Sequence, residues 1–367
     1  MDHGTRPRLL IVGNFLSAHQ KNRGYCEDLT ARLAARGWTI STTSSEPGRI
    51  RRLRDMMSTT WRLRGSYDVA QVDVFSGPSF LWAEAVCAAL RLAGKPYILT
   101  LHGGRLPEFA RAWPRRMRRL LQPAAVVTTP SAYLADALRG IRDDLCVIPN
   151  GIEVSRYSFR LRDKGSPRLV WLRAFHEIYH PALALRVLAA VSGEFPDAHL
   201  TMIGPDKGDG SLERVLETAR GLGMTENLEI IRGVPREKVP ENLAARDIFL
   251  NTTNYDSFGI SVAEAMACGL CVVSTNVGGL PYWVEHDKDA LLVPPNDPEA
   301  MAAAVRRILT EPGLAARLSA NARRKAEQLD WPVILPQWES LLRTAMDRSY
   351  GESRGTGSLG DHAGAEE

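Results

Sequence analysis

The sequence predicts an α/β protein built on parallel sheets. Apolar runs of four residues, such as Leu9–Val12 and Leu169–Leu172, have the length and composition of buried strands. Segments with apolar residues at helical spacing follow these runs, and glycines mark the turns between them. This alternation of strand, turn and helix occurs in both halves of the chain, and it is typical of parallel sheets covered by helices.

In the first half, the strand Leu9–Val12 is followed by Gly13-Asn14, a loop through Arg23-Gly24, and a helix that ends at Arg36-Gly37. No Gly-x-Gly-x-x-Gly follows this strand, which argues against a dehydrogenase. We expect a helix at Phe80–Leu92. The further strands are expected at Val69–Phe75, Tyr97–Leu101, Val126–Thr128 and Cys146–Ile148.

The turn Pro149-Asn150-Gly151 predicts a hinge, after which the pattern repeats. Strands are expected at Leu169–Leu172, Leu200–Gly204, Leu228–Ile231, Ile248–Asn251 and Cys271–Ser274. Helices are expected at Ala182–Val191, Leu212–Leu222, Glu237–Ala245, Pro298–Thr310, Leu314–Gln328 and Pro332–Met346.

The stretch Tyr255–Gly269 joins one of these strands to a helix. Asp256 and Ser257 fall at the turn, and Glu264 falls about two helical turns later. Free N–H groups and the positive end of the dipole make a helix start a site for an anion. Two carboxylates flanking such a site suit a phosphate with hydroxyl-rich groups on both sides, as in a nucleotide-sugar. The alternative is an ordinary capped helix with an exposed Glu264.

Charge and composition narrow the class further. The 367 residues suffice for two domains. Residues 1–150 carry 22 Lys and Arg against 12 Asp and Glu, so we expect this half to meet an anionic partner. The five cysteines follow no disulfide or metal pattern, which predicts inert thiols in a reducing cytoplasm. We expect neither a signal peptide nor a membrane span, because the apolar runs are too short.

Five segments occur in the order typical of one enzyme family. They are Asp256-x7-Glu264 with the Ala-Met-Ala-x-Gly that follows, Thr100–Gly103, Ile148–Ile152, Thr275–Pro281 and Leu291–Asp297. In these segments the chain resembles the retaining glycosyltransferases of family 4, whose central motif is Glu-x7-Glu. The resemblance extends over roughly residues 8–345.

The resemblance implies the GT-B fold, with two facing Rossmann-like domains, parallel sheets and an inter-domain cleft. Residues 1–150 would form the acceptor-binding domain and residues 151–330 the nucleotide-sugar-binding domain. Residues 331–349 would form a helix that crosses back to the first domain. Residues 350–367, rich in Gly, Ser, Glu and Asp, are expected to be disordered.

The resemblance also implies roles for single residues. In the family the second acid binds the ribose and the first contacts the transferred sugar. Arg173 matches a phosphate-binding arginine, but the lysine that usually follows is absent, and Tyr179 or His180 stands in its neighbourhood. The predicted catalytic residues are Asp256, Arg173 and His102. The predicted donor-binding residues are Glu264, Ser257, Phe258, Gly259, Ile260, Val234, Tyr179, Gly278 and Gly279.

On the acceptor side, we expect His102 to meet a sugar, because it follows a strand at the sheet edge where ligands bind in α/β proteins. A purely structural histidine is the alternative. Asn14, Arg23 and Gly24 are the predicted acceptor or cleft residues. Family members usually have Gly-Gly where this chain has Arg23-Gly24.

Two arginine-rich stretches, Arg49–Arg64 and Arg105–Arg119, also contain Leu, Met and Trp, as interfacial helices do. They predict contact with an anionic membrane, so that a cytoplasmic protein would lie at the inner face of the plasma membrane. Neither stretch belongs to a nucleic-acid-binding module, and we expect no nucleic-acid partner. A solvated helix face is the alternative for each stretch.

The implied reaction moves a hexosyl unit from a UDP- or GDP-sugar to a hydroxyl of a glycan or lipid-linked acceptor, with retention at the anomeric carbon. Such a reaction would belong to cell-surface polysaccharide or glycolipid assembly. The resemblance implies neither a metal nor a cofactor, because the nucleotide-sugar is a co-substrate. Two alternatives are a non-catalytic subunit of the same fold and a nucleotide-sugar epimerase.

Overall fold

The structure, a computed structural model, describes residues 7–18 and 24–355. The chain divides into two compact units. The first contains the chain up to Pro130, Leu134–Ile148 and the residues from Leu335 onwards; the second contains Ser131–Tyr133 and Pro149–Ile334. Within the described residues, each unit has a parallel sheet of six strands. The predicted α/β class with parallel sheets is therefore confirmed.

The sheet of the first unit has the strand order β2-β1-β3-β4-β5-β6. Its strands are β1 (Arg8–Val12), β2 (Thr39–Thr43), β3 (Val69–Val74), β4 (Tyr97–Leu101), β5 (Val126–Thr129) and β6 (Cys146–Val147). The helices are α1 (Tyr25–Ala35), α2 (Arg49–Arg62), α3 (Phe80–Leu92), α4 (Leu106–Ala112), α5 (Pro114–Leu121) and α6 (Ala132–Ala137). The order reverses between β1 and β3, and ligands of open α/β sheets bind at such a point, beyond the carboxyl ends of the strands.

The sheet of the second unit has the order β12-β11-β10-β7-β8-β9. Its strands are β7 (Arg168–Leu172), β8 (His199–Ile203), β9 (Leu228–Ile231), β10 (Ile248–Asn251), β11 (Cys271–Thr275) and β12 (Leu291–Val293). The helices are α7 (Pro181–Ser192), α8 (Ser211–Gly221), α9 (Val239–Ala244), α10 (Ile260–Ala267), α11 (Pro298–Thr310) and α12 (Leu314–Glu327). Here the order reverses between β7 and β10, so the loops that follow these two strands are neighbours.

Two strands were not predicted, and both lie at sheet edges. Strand β2 is rich in Thr and Ser and only its last residue is buried, so it lacks the apolar run of a central strand. Strand β12 has only three residues. The predicted helix at Glu237–Ala245 is a 3₁₀ turn, Arg236–Lys238, followed by the shorter α9.

The last helix, α13, is Trp331–Gly355 and extends beyond the predicted end at Met346. Residues 350–355 are therefore helical, which corrects the predicted start of a disordered tail; adding residues to an existing helix avoids the cost of nucleation. Residues 356–367 lie outside the described residues. From Leu335 the helix belongs to the first unit, where Trp338 Nε1 donates to the Tyr25 hydroxyl at 3.0 Å.

All five cysteines are free thiols. Burial raises the pKa of Cys87, Cys268 and Cys271 to about 12, which agrees with the expectation of unreactive thiols. In the described parts of the chain, no helix combines the length and the apolar character that crossing a bilayer requires.

Candidate active site

The turn before α10 is organised by the carboxylate of Asp256. Its Oδ1 accepts hydrogen bonds from the backbone N–H of Phe258 at 3.0 Å and of Gly259 at 2.9 Å. Gly259 is the N-cap of α10 and has a φ of 89°, which favours glycine. The carboxylate thus shapes the loop that presents the first N–H groups of α10, which have no partner within the helix.

The other carboxylate oxygen of Asp256 contacts Arg173. Arg173 follows β7 and Asp256 follows β10, so the reversal of strand order brings them together. The Arg173 Nη2 forms an ion pair with Asp256 Oδ2, and their side chains are only 16% and 13% exposed. The guanidinium also lies 5.1 Å from the ring centroid of Tyr179. Its buried Nε has no hydrogen-bond partner in residues 7–18 and 24–355.

Glu264 lies further along α10, where it is buried, with 8% of the residue exposed. Its Oε1 accepts a hydrogen bond from the Tyr157 hydroxyl at 2.8 Å. Burial raises the pKa of Glu264, while Tyr157 and the nearby Arg236, Arg173 and Arg156 lower it. Glu264 is therefore not the exposed helix residue of the alternative interpretation. Tyr157 was not predicted as a site residue, because no local pattern reveals a contact across 107 positions.

Gly278 and Gly279 lie against the Asp256 turn itself. A Cβ on Gly278 would overlap the Asp256 carbonyl oxygen, and a Cβ on Gly279 would overlap that of Ser257. The N–H of Gly279 donates to the Asp256 carbonyl at 2.8 Å. The close backbone approach predicted for these glycines is thus observed toward the turn, and any contact with a sugar stays a prediction.

The other predicted donor-binding residues have mixed environments. Phe258 is buried (3% exposed), stacks on Trp283 at 5.3 Å and accepts from Trp283 Nε1 through its carbonyl, so its side chain supports the turn from inside. Ser257 and Ile260 are half-buried beside it. Val234 borders a recess of about 480 Å³ next to α9.

His180, the other candidate for the missing lysine, precedes α7 with a φ of 43°. Its side chain is hydrogen-bonded to Asn296, and burial lowers its pKa, so it favours the neutral imidazole. Tyr179 lies directly on Arg173, as its cation–π contact shows. Of the two, Tyr179 is the residue that shares the surroundings of Arg173.

In the first unit, His102 is the end of a buried polar network. Its Nε2 lies 3.0 Å from Asp73 Oδ1, and its ring stacks on Phe75 with centroids 5.2 Å apart. The amide nitrogen of Gln71 donates to the same Asp73 oxygen and to the Thr100 hydroxyl, each at 2.8 Å. A carboxylate can only accept, so it directs the Nε2 proton toward itself and fixes the ring. Sequence analysis did not identify Asp73.

The loop after β1 reaches the same edge of the sheet. Gly13 lacks a Cβ, and the position that one would occupy is 2.7 Å from Asp73 Oδ2. Asn14 follows it and accepts from Arg52 through its side-chain oxygen at 3.1 Å. Gly24 is the N-cap of α1, and its N–H donates to Glu27 at 2.8 Å. Arg23 lies outside the described residues, so its predicted role stays a prediction.

The two arginine stretches form α2 and, interrupted at Pro114, α4 and α5. Most of their arginines are exposed: Arg49, Arg51, Arg54, Arg62, Arg64, Arg105, Arg111, Arg115, Arg118 and Arg119. Two arginines are exceptions. Arg52 is buried and donates to the carbonyls of Glu46 and Pro47, and Arg116 forms a bidentate pair with Glu84 at 2.5 and 2.6 Å.

Comparison with known proteins gives two family matches that lie side by side along the chain. The model described as Glycosyltransferase Family 4 matches residues 23–156, and the model described as Glycosyl transferases group 1 matches residues 158–325. A D-inositol 3-phosphate glycosyltransferase of Thermobispora bispora is 24% identical over 331 residues, which are 81% of this chain and 76% of that protein. A GDP-mannose-dependent alpha-(1-6)-phosphatidylinositol monomannoside mannosyltransferase of Mycolicibacterium smegmatis is 27% identical over 304 residues, 76% of each chain.

Solved structures share the fold. A sucrose-phosphate synthase from Thermosynechococcus elongatus has a TM-score of 0.77 at 20% identity, covering 94% of this chain and all of that one. Anabaena Alr3699/HepE in complex with UDP has a TM-score of 0.74 at 17% identity, covering 92% of this chain and all of that one. These likenesses confirm the predicted GT-B fold class.

Proposed function

Since the chain belongs to glycosyltransferase family 4, we propose that it transfers a hexosyl unit from a UDP- or GDP-sugar to a hydroxyl group, with retention at the anomeric carbon. The acceptor would be a glycan or a lipid-linked saccharide, in cell-surface polysaccharide or glycolipid assembly. One observation carries this proposal: Arg173, Asp256 and Glu264 gather around the start of α10, where the strand order reverses.

In the proposed donor site, different residues bind the ribose, the diphosphate and the sugar of the nucleotide-sugar. Glu264 would accept hydrogen bonds from the ribose hydroxyls, and Arg173 with the first N–H groups of α10 would bind the diphosphate. Asp256 would face the sugar ring. During transfer, negative charge grows on the leaving diphosphate, so fixed positive groups beside it favour the transition state. In this proposal Arg173 and the helix dipole supply that charge, and no metal is required.

The donor is the first point to test. The M. smegmatis relative is named for GDP-mannose, and the HepE structure was determined with UDP, so both nucleotides belong in the experiment. UDP, GDP and their hexose conjugates should be compared by thermal shift, because a ligand that binds only the native state raises the melting temperature. A lack of any shift with all of these ligands would refute the proposed donor site.

His102 and the two arginine stretches support the acceptor part of this proposal. Asp73 fixes His102 at the carboxyl edge of the first sheet, where it can meet an acceptor or donor hydroxyl.

Helix α3 packs against both α2 and α5, so the two arginine stretches flank it. Large apolar side chains among them are exposed: Ile50 (71%), Leu81 (55%) and Trp113 (58%). Exposed apolar groups beside arginines suit the surface of an anionic bilayer at the cytoplasmic face of the membrane.

Vesicle binding tests the membrane component. The protein should bind vesicles with anionic lipid at low salt and dissociate at high salt, since ions screen surface charge. The double variant Ile50→Ser, Trp113→Ser should bind less. A matched control is Leu92→Ser. Leu92 is 80% exposed, but it ends α3, at the opposite end of the helix from the exposed Leu81 in its first turn. Equal binding to neutral vesicles would contradict this component.

A non-catalytic subunit is the second candidate, because the family lysine is missing and Asp256 replaces the usual glutamate. An epimerase of this fold would instead interconvert nucleotide-sugars without an acceptor. Release of free nucleoside diphosphate that depends on acceptor supports the transferase. Donor binding without any such release would favour the subunit, and an isomerised donor would favour the epimerase.

A further inference from the structure

The carboxylate of Glu264 is held by a tyrosine from a distant part of the second unit. Tyr157 follows the 3₁₀ turn Val154–Arg156, and its hydroxyl donates to Glu264 Oε1 at 2.8 Å. The two residues are 7% and 8% exposed. The bond occupies one carboxylate oxygen and leaves Oε2 for a ligand.

A second contact fixes the backbone of Tyr157 to the same helix. Arg323, on α12, donates from Nη1 to the Tyr157 carbonyl at 3.1 Å and to the Ala267 carbonyl at 2.8 Å. Ala267 is the last residue of α10, the helix that carries Glu264. Tyr157 is therefore tied to α10 through both its side chain and its backbone. This double attachment sets the hydroxyl in one place relative to the carboxylate.

The groups that face Glu264 make its charge depend on this bond. Burial raises the pKa of Glu264, and the Tyr157 hydroxyl is the first of the groups that lower it, followed by Arg236, Arg173 and Arg156. The pKa of Tyr157 is itself raised by burial and by Glu264, so Tyr157 stays a neutral donor. Cys268, the C-cap of the same helix, has a pKa raised to about 12 by burial and stays a thiol.

Resting on the proposed function, we propose that Tyr157 is a positioning residue for nucleotide recognition, which orients Glu264 so that Oε2 meets the ribose hydroxyls. Without the tyrosine hydroxyl, the glutamate side chain would lose its fixed rotamer, and its remaining oxygen would no longer be directed. A ribose presents two neighbouring hydroxyl donors, so recognition depends on where the accepting oxygen points.

The test uses the full chain and titration calorimetry with UDP and with GDP between pH 5 and pH 8. Tyr157→Phe keeps the ring and removes only the hydroxyl. We expect nucleotide affinity about tenfold lower at pH 7, as for loss of a hydrogen bond to a charged group. Removing a donor raises the pKa of Glu264 further, so the loss of binding on acidification should begin at a higher pH. Tyr67→Phe is the control, since this buried hydroxyl donates to the Thr60 carbonyl in the other unit.

A double-mutant cycle tests the proposed donor site and the positioning role of Tyr157 separately. Glu264→Gln alone should weaken nucleotide binding and remove the part of its pH dependence that comes from Glu264, leaving the part due to the terminal phosphate of the nucleotide, and adding Tyr157→Phe should then have no further effect. If Glu264→Gln keeps full affinity, or if wild-type protein binds neither nucleotide, the donor site itself is wrong. If Glu264→Gln weakens binding but Tyr157→Phe keeps both the affinity and the pH profile of the wild type, the positioning role is refuted. The positioning role would also be refuted if Tyr157→Phe lowered nucleotide affinity as much in the Glu264→Gln background as in the wild type.

Discussion

Asp256 has two separable contacts, and substitution can divide them. Its Oδ1 accepts from the amides of Phe258 and Gly259, and its Oδ2 pairs with Arg173. Asparagine retains the first oxygen, because its side-chain carbonyl can accept from the same two turn amides. It replaces the second oxygen with an N–H₂ donor that cannot accept from a guanidinium. Asp256→Asn therefore removes the charge and keeps the hydrogen bonds to the turn, whereas Asp256→Ala removes both.

These contacts set the expected magnitudes. Leaving the two turn amides without their acceptor costs about 1 kcal/mol, so Asp256→Ala should unfold more easily than Asp256→Asn by about that amount. If Asp256 acts on the sugar, Asp256→Asn should lower turnover by roughly 100-fold to 1,000-fold, the range for loss of one electrostatic group at a reacting centre. Affinity for UDP or GDP should change little, because the loss of a negative charge near the diphosphate offsets the loss of the ion pair that holds Arg173 in place.

Three measurements on Asp256→Asn and Asp256→Ala test this reasoning: calorimetric binding of the nucleotide, release of nucleoside diphosphate with acceptor, and thermal unfolding. Asp256→Glu extends the series, because the side chain is longer by about 1.5 Å. It should weaken the hydrogen bonds to the two turn amides and shift the preference among donor sugars. If Asp256→Asn is fully active and Asp256→Glu leaves the donor ranking unchanged, the carboxylate only supports the turn before the helix.

Three further predictions follow from the contacts of single side chains. Arg173→Ala should lower kcat more than it weakens donor binding, because charge on the diphosphate grows in the transition state; an effect on KM alone would contradict this. Asp73→Asn should lower turnover by freeing the His102 ring, while nucleotide affinity stays constant; a change in stability alone would leave His102 structural. Arg162→Met should destabilise the protein by about 3 kcal/mol, because the fully buried Arg162 donates to the carbonyls of Ala244, Arg246 and Cys268, which would lose this donor; unchanged thermal unfolding would contradict this.

The central strands and the helices could be predicted because burial on both faces leaves long apolar runs. The edge strand β2 could not, since its Thr and Ser side chains carry no such signal. The motif around Asp256 was predicted with its correct placement at a strand-to-helix turn. Its pairing with Arg173 could not be derived from either segment alone, because that contact depends on the reversal of strand order in the second sheet.

The partners of the predicted residues were the least predictable part of the site. In the sequence, Asp73 is simply one polar residue in the strand Val69–Val74. Only the parallel register with β4 brings it near His102. Tyr157 likewise looks like an ordinary aromatic residue after a turn. Sequence motifs therefore identify groups that could touch a substrate, whereas the groups that orient them come from tertiary structure.

The ion pair in the proposed donor site raises the question of whether a donor must break it. Breaking a buried pair typically costs about 3–5 kcal/mol, which would weaken donor binding by a factor of several hundred or more. The geometry makes this unnecessary. Asp256 contacts Arg173 with a single oxygen at Nη2, because its other oxygen is bound to two amides. The guanidinium carries further N–H donors besides those of Nη2, and the Arg173 side chain is 16% exposed. A phosphate can thus bind Arg173 while Asp256 keeps it in place, so the ion pair fixes the arginine for the donor rather than competing with the donor for it.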